Sequence, residues 1–446
     1  MAGARTPFPG RHMRNKNFIT SLVACTALLA STVSVIHAQA PPSPVDIATQ
    51  NKVAELIKKL KDSDISVRRH SVEALGDFGP DARDALPTLL EIRKDKSADV
   101  RREVAAALGE VAFDSKAALL GLIEMLKDDS AKVRGTAAFA LWRFGPMVRN
   151  VESELIEAIK DQDPEVRQYV AGALGKMTPP ARNTVRSLIE ALKDSGDSVR
   201  AEAARSLGQI GGHPKETVPA LTASLKDKSV FVRGAAVGAL ARFGPDAKKV
   251  IPTLISLLSD RNRLMRRRLV QVLGDFGPDA GKVVPQLITI LRSKGEDPEL
   301  RGDAAIALAQ IEPANDRTLN LLISALKAPH PRTRAAAAEA IWRLGPSAKK
   351  ATPLLIPLLN EPLPELRINA AAALSVINGG PQEVIPILVS GLKHDYGWVR
   401  YIAVTSLGKL GPRAKDAVND IALLTKDRSE RVRIAARDAL DKIKKK

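Results

Sequence analysis

Catalysis needs nucleophiles, imidazoles or clustered carboxylates, and this chain offers few. Of its six histidines, two fall in the first forty residues, leaving His70, His213, His330 and His394. None is followed by Glu, and there is no HExxH, P-loop or GxSxG. His70 reads as a solvated helix residue and His213, before Pro214, as a turn residue. Cys25 is the only cysteine, so a chain without its leader has no disulfide, thiol nucleophile or Cys metal site. The expectation is a protein with no catalytic residue, no cofactor and no metal: not an enzyme.

The charged residues are instead ordered by position. An apolar residue followed by Arg recurs at Arg68, Arg101, Arg134, Arg167, Arg200, Arg233, Arg266, Arg301, Arg334, Arg367, Arg400 and Arg433. Every step is 33 residues except the one from 266 to 301, which is 35, and only Thr333 breaks the apolar rule. Seven residues after each Arg stands Leu or Ile. Six before it stands Asp in most repeats, and seven before it stands Lys in ten of twelve. That Lys sits at the end of a helix, where the dipole favours a cation. The Asp lies in a turn, where it can pair with an Arg of the neighbouring unit, like a rung.

A fixed period of this size marks a solenoid. In residues 248–280, "VIPTLISLLSD" has helical spacing with Pro252 at its start, where a missing N–H costs nothing. A second helix runs from about Leu264 to Phe276, and Gly277-Pro278 ends it. Neither helix can bury its apolar stripe alone. The predicted fold is therefore all-α: a right-handed α-solenoid of about twelve 33-residue helix-turn-helix repeats. "LGDFGPDA" occurs at 75–82 and again at 273–280, six periods apart. Trp-Arg pairs occur in repeats 3 and 9, also six apart, so the array reads as two duplicated six-repeat blocks.

The pattern D-x-x-x-x-V-R-x-x-A-A-x-A-L-G-x-x-G, seen from Asp128 to Gly145 as "DDSAKVRGTAAFALWRFG" with Trp142 in place of its first Gly, resembles HEAT repeats of the phycobilisome-lyase type. The resemblance covers residues from about 45 to 446 and implies that Asp128, Arg134, Asp161, Arg167, Arg200 and Arg233 belong to a structural ladder. It also implies two enzymatic alternatives. One is an accessory subunit like the bilin lyases, which act on cysteines of another protein. The other is a di-iron oxidoreductase like deoxyhypusine hydroxylase, recognised by His-Glu pairs just after the marker Arg. Glu103 and Glu202 occupy the Glu slot, but Arg102 and Ala201 stand where His is required, which disfavours the hydroxylase.

Residues 1–40 read as a secretory signal: Arg5, Arg11, Arg14 and Lys16 with no acid, an apolar run over 18–36, then "HAQA". The alternatives are an uncleaved anchor, or lipidation at Cys25 in "LVAC". A short Pro-rich linker and the start of the first helix occupy 41–50, and the solenoid spans 51–446. The expected location is periplasmic or extracellular, with no membrane span in the mature chain. The formal charge of +18 loses the leader's four cations, and ladder Arg and helix-end Lys account for most of the rest, so no nucleic-acid role is implied.

That leaves the surface. Positions two, five and nine after each marker Arg form one stripe of the second helix, which lines the concave side in HEAT solenoids. On the stripe or beside it, the candidate contacts are Trp142-Arg143 and Trp342-Arg343, with Trp at position eight, Tyr169, Tyr401 at position one, and Arg263, Arg267 and Arg268 from "RNRLMRRRLV". Trp beside Arg is typical of binding hot spots, although Trp at this position also fills a gap between repeats. Crowded arginines repel one another, and an acidic partner would offset the cost. The reading is a monomeric scaffold that binds protein, with an anionic envelope polymer as a third alternative.

Overall fold

The structure, a computed structural model, describes residues 44–378 and 380–444. The expected signal segment and Cys25 lie outside the described residues. The chain divides into residues 1–52 and residues 53–446. Of the first unit only the beginning of helix Pro44–Lys59 is described. The second unit carries the repeats.

Every regular element among the described residues is helical, and no helix there is long and apolar enough to cross a membrane. Beyond the first repeat, each unit is a short first helix and a longer second one. In repeat 7 they are Ile251–Ser256, with Pro252 in its first turn, and Arg263–Asp275, capped by Asn262 Oδ1 accepting from the Met265 N–H. Successive second helices pack side by side through the column seven residues after the marker Arg. Leu75, Leu108, Leu141, Leu174, Leu207, Leu240, Leu273 and Leu308 are all fully buried. One residue further on, a second helix meets its neighbour's backbone. A Cβ added to Gly208 would lie 2.6 Å from Ala239 Cα, so the helices approach more closely there than any side chain allows.

The repeated octapeptide is a turn. Gly79 and Gly277 sit at φ of 54° and 58°, a region open to Gly but strained for other residues. Each is followed by Pro at the start of a short 3₁₀ segment, Gly79–Ala85 or Gly277–Val283. Ala82 and Ala280 are fully buried beneath these turns. The two copies share a sequence because they share a backbone path and a small buried contact.

The marker arginines form the ladder that holds the turns together. Arg134 donates through Nε and Nη2 to the two oxygens of Asp161, at 2.7 and 3.0 Å, in the next repeat. Its Nη1 donates to the carbonyls of Asp128 and Asp129 in its own repeat. Asp161 Oδ1 also accepts the Asp163 N–H at 2.8 Å. Each rung thus ties one turn to the next with charge-assisted hydrogen bonds. The same pairing recurs at Arg101–Asp128, Arg167–Asp194, Arg200–Asp227 and Arg233–Asp260.

Candidate partner-binding face

The ladder occupies one edge of the stack, and the stripe at positions two, five and nine lies elsewhere on the second helices. Its residues gather into two concave regions, each spanning several repeats.

The first is a groove of about 730 Å³ across repeats 5 to 7. Helix Asp197–Ile210 contributes Arg205 and Gln209; Val230–Arg242 contributes Phe231, Gly234, Gly238 and Arg242; Arg263–Asp275 contributes Leu264 and Arg268. The floor is low because Gly234 and Gly238 carry no side chains; a Cβ on Gly238 would stand 2.9 Å from Arg268 Nη2. Phe231 and Leu264 are 70% and 65% exposed. Arg205 pairs with Glu202 at 2.7 Å, whereas Arg242 and Arg268 are exposed and have no acid in ion-pair reach among the described residues. A low apolar floor edged by free guanidinium groups can take an apolar side chain with a carboxylate beside it.

The other candidate residues are placed differently. Arg263 pairs with Asp297 at 3.1 Å. Arg267 is held between Asp303 and Glu299, and the ladder residue Arg266 by Glu296. The repulsion expected within this arginine cluster is therefore offset by acids of the next repeat, and of the candidates only Arg268 turns into the groove.

Trp142 is half-buried among Phe139, Tyr169 and Lys176, whose Nζ stands 5.6 Å from the ring centre. It fits because Gly172 faces it, where a Cβ would come within 3.2 Å of the indole. Tyr169 meets Phe139 edge-on at 5.2 Å. Trp342 is only 6% exposed, edge-on to Tyr401, with Lys409 and Arg343 over its ring. Tyr401 carries Arg431 on its face at 4.0 Å. Arg143 is paired to Glu110 and Arg343 to Glu339. These two clusters are aromatic packing between repeats, and only the first presents appreciable surface, with Phe139 38% exposed.

Phe231 and Leu264 were absent from the sequence-derived candidates, although a signal for them exists. Both stand two residues before a marker Arg, as does Trp398. That column otherwise reads Ser66, Asp99, Lys132, Glu165, Ser198, Glu299, Arg332, Glu365 and Arg431. Three large apolar residues in a polar column mark exposed hydrophobic surface. Among the described residues no group of three His, Cys, Asp or Glu is placed to hold a metal ion.

Comparison with known proteins defines the class. The HEAT-repeat family model matches residues 53–121, 119–185, 185–274, 251–341 and 319–408, and the chain belongs to that family. Among solved structures it is similar to a chain of a Kap95:Nup1 complex, with a TM-score of 0.61, 14% identity, and coverage of 92% of this chain and 64% of that one. It is also similar to Escherichia coli YibA (TM-score 0.43, 24% identity, 61% of this chain, 99% of that). A third is Kap121p (TM-score 0.45, 15% identity, 89% of this chain, 49% of that), so the chain spans about half of that protein's length. At 14% identity, the likeness to the first of these shows the solenoid fold alone. No curated protein matches the sequence.

Proposed function

We propose that this HEAT-repeat chain is an exported, non-catalytic scaffold that binds protein through the concave face of its second helices, and that its first contact is an acidic, apolar segment seated in the groove of repeats 5 to 7. The observation that carries this reading is the pairing of exposed Phe231 and Leu264 with the unpaired Arg242 and Arg268 around a glycine floor. Exposed apolar area of this kind lowers its free energy by meeting a partner. Two free guanidinium groups at its edge select a carboxylate. The finer likeness to phycobilisome-lyase HEAT repeats would add a cysteine-bearing partner; the groove itself asks only for an acid beside an apolar side chain.

Panning a random-peptide display library on the chain without residues 1–40 tests the site. Selected peptides should carry Asp or Glu next to Leu, Phe or Tyr. The enrichment should vanish on an Arg242→Ser/Arg268→Ser variant that keeps its far-ultraviolet circular dichroism, and binding should weaken as salt rises. Enrichment without acids, or indifferent to the double substitution, rejects the groove. Export is tested by the amino-terminal sequence of the secreted chain, expected to begin at Pro41.

A further inference from the structure

Repeats 7 to 11 carry a second cavity, of about 460 Å³, on the same face. Its walls are acidic where those of the groove are basic: Glu299, Asp303, Glu339 and Glu365 line it, together with Arg267 and Arg332. The two arginines satisfy the end nearest the groove. Arg267 donates to Asp303 at 2.6 Å and also to Glu299, and Arg332 binds the other oxygen of Glu299. Gln271 donates to the second oxygen of Asp303 at 3.1 Å.

The far end is not satisfied in this way. Glu365 and Asn369 stand one turn apart on helix Pro364–Asn378. Among the described residues the only basic side chain at Glu365 is His394, whose Nε2 is 3.8 Å away, beyond hydrogen-bond length. Asn369 is 1% exposed; its Nδ2 donates to the Ala335 carbonyl at 3.0 Å, while its Oδ1 has no partner. Glu339, on the adjacent helix, is buried, with one oxygen bonded to Arg343 at 2.7 Å. Burial holds its carboxyl above the ordinary range in spite of that cation. At the rim Tyr396 and Trp398 lie nearly parallel, with ring centres 6.5 Å apart, and are 56% and 43% exposed. Two uncommitted acceptors behind an exposed aromatic pair have the makings of a cation subsite.

We infer that this end of the cavity receives one arginine side chain of a bound peptide, its guanidinium stacked at Trp398 and Tyr396 and hydrogen-bonded to the Glu365 carboxylate and Asn369 Oδ1. Arginine suits the site better than lysine because its planar fork can stack and reach two acceptors at once. The inference rests on the protein-binding reading and extends it: helix Arg263–Asp275 sends Arg268 into the basic groove and Arg267 into the acidic cavity. A partner segment crossing that helix would carry its acid over repeats 5 to 7 and its arginine over repeats 7 to 11.

The test is calorimetric titration of the chain with a short capped peptide bearing one central arginine, alongside the same peptide carrying citrulline or lysine. Saturable millimolar binding is expected, weakened about tenfold by citrulline, which keeps the shape and removes the charge, and by less with lysine. Glu365→Gln and Trp398→Ala should each weaken it about five- to tenfold with unchanged circular dichroism. Glu365→Gln is isosteric, so its effect does not depend on Asn369, whose substitution could disturb packing. Arg268→Ser should leave arginine binding intact, which separates failure of this subsite from failure of the groove. Absence of saturable binding, equal binding of citrulline, or wild-type binding by Glu365→Gln would overturn the inference.

Discussion

Repeats 1 to 6 and repeats 7 to 12 follow one pattern but differ in how completely their ladders are paired. In the first block each ladder arginine, from Arg68 to Arg233, reaches an Asp 27 residues on, and the run is unbroken. In the second block Arg266 reaches Glu296, Arg334 reaches Glu361 and Arg400 reaches Asp427. Ala328 and His394 stand where the acids for Arg301 and Arg367 belong. Arg301 turns to the Leu291 carbonyl, and among the described residues Arg367 keeps only the carbonyls of Glu361 and Pro362. His394 still accepts the Tyr396 N–H through Nδ1, so it preserves the turn while giving up the charge. Acids stand on the second-helix face in both blocks, at Glu73, Asp99, Glu103, Glu165 and Glu202 in the first, and those of the second, Glu299, Asp303, Glu339 and Glu365, line one cavity. The first block is built for cohesion. The second gives up part of its ladder and has a polar cavity.

The comparison can be broken most visibly by pH. Asp95, Asp128, Asp161, Asp194, Asp227 and Asp427 all ionise below the ordinary carboxylate range. For Asp128, burial pushes upward, and the hydrogen bonds from Arg101 and the Ser130 N–H outweigh it. A carboxyl depressed in the folded state contributes stability above its unfolded pKa of about 4 and loses it as pH falls through the folded value. Urea midpoints should therefore hold from neutral pH to about pH 5 and then fall steeply. Local hydrogen exchange should show the first block opening more than repeats 8 to 10; uniform loss would contradict the division.

The next effect compares the two tryptophans. Trp342→Ala should cost about 3–4 kcal/mol, because it empties a buried site. Trp142→Ala should cost about half as much, since part of that ring already meets solvent. Denaturation in urea measures both, and equal losses would show that these equivalent positions of the repeat pack alike.

Ladder deletions come next in size. Arg134→Ala leaves the nearly buried Asp161 without its cation and should cost about 2 kcal/mol. Arg367→Ala strands only carbonyls and should cost about 1 kcal/mol. Lys132→Ala, outside the ladder, should change stability by less than about 0.5 kcal/mol. The smallest effect repairs the second block: Ala328→Asp should give Arg301 its missing partner and raise stability by about 0.5–1 kcal/mol. A lowered midpoint would mean that the Leu291 carbonyl is the better partner there.

Sequence by itself determined the repeat, its helix-turn-helix content, the buried Leu column, the glycine turns and both members of each rung except that of Arg266, whose acid Glu296 lies outside the column. Each depends on local spacing or on a neighbour at a fixed 33-residue offset, so position along the chain was enough. The sequence also marked the stripe at positions two, five and nine, from which Arg205, Gln209, Arg242 and Arg268 line the groove. Only the tertiary structure decided which charges remain free. Arg267 and Arg268 are indistinguishable as neighbours in a string, yet the helix turns them about 100° apart, one onto Asp303 and the other over Gly238. Trp142 and Trp342 occupy equivalent positions in their repeats, and their different exposure comes from the residues that adjacent helices bring against them. Whether a side chain is satisfied or available depends on partners some thirty residues away, beyond what a single column of a repeat can report.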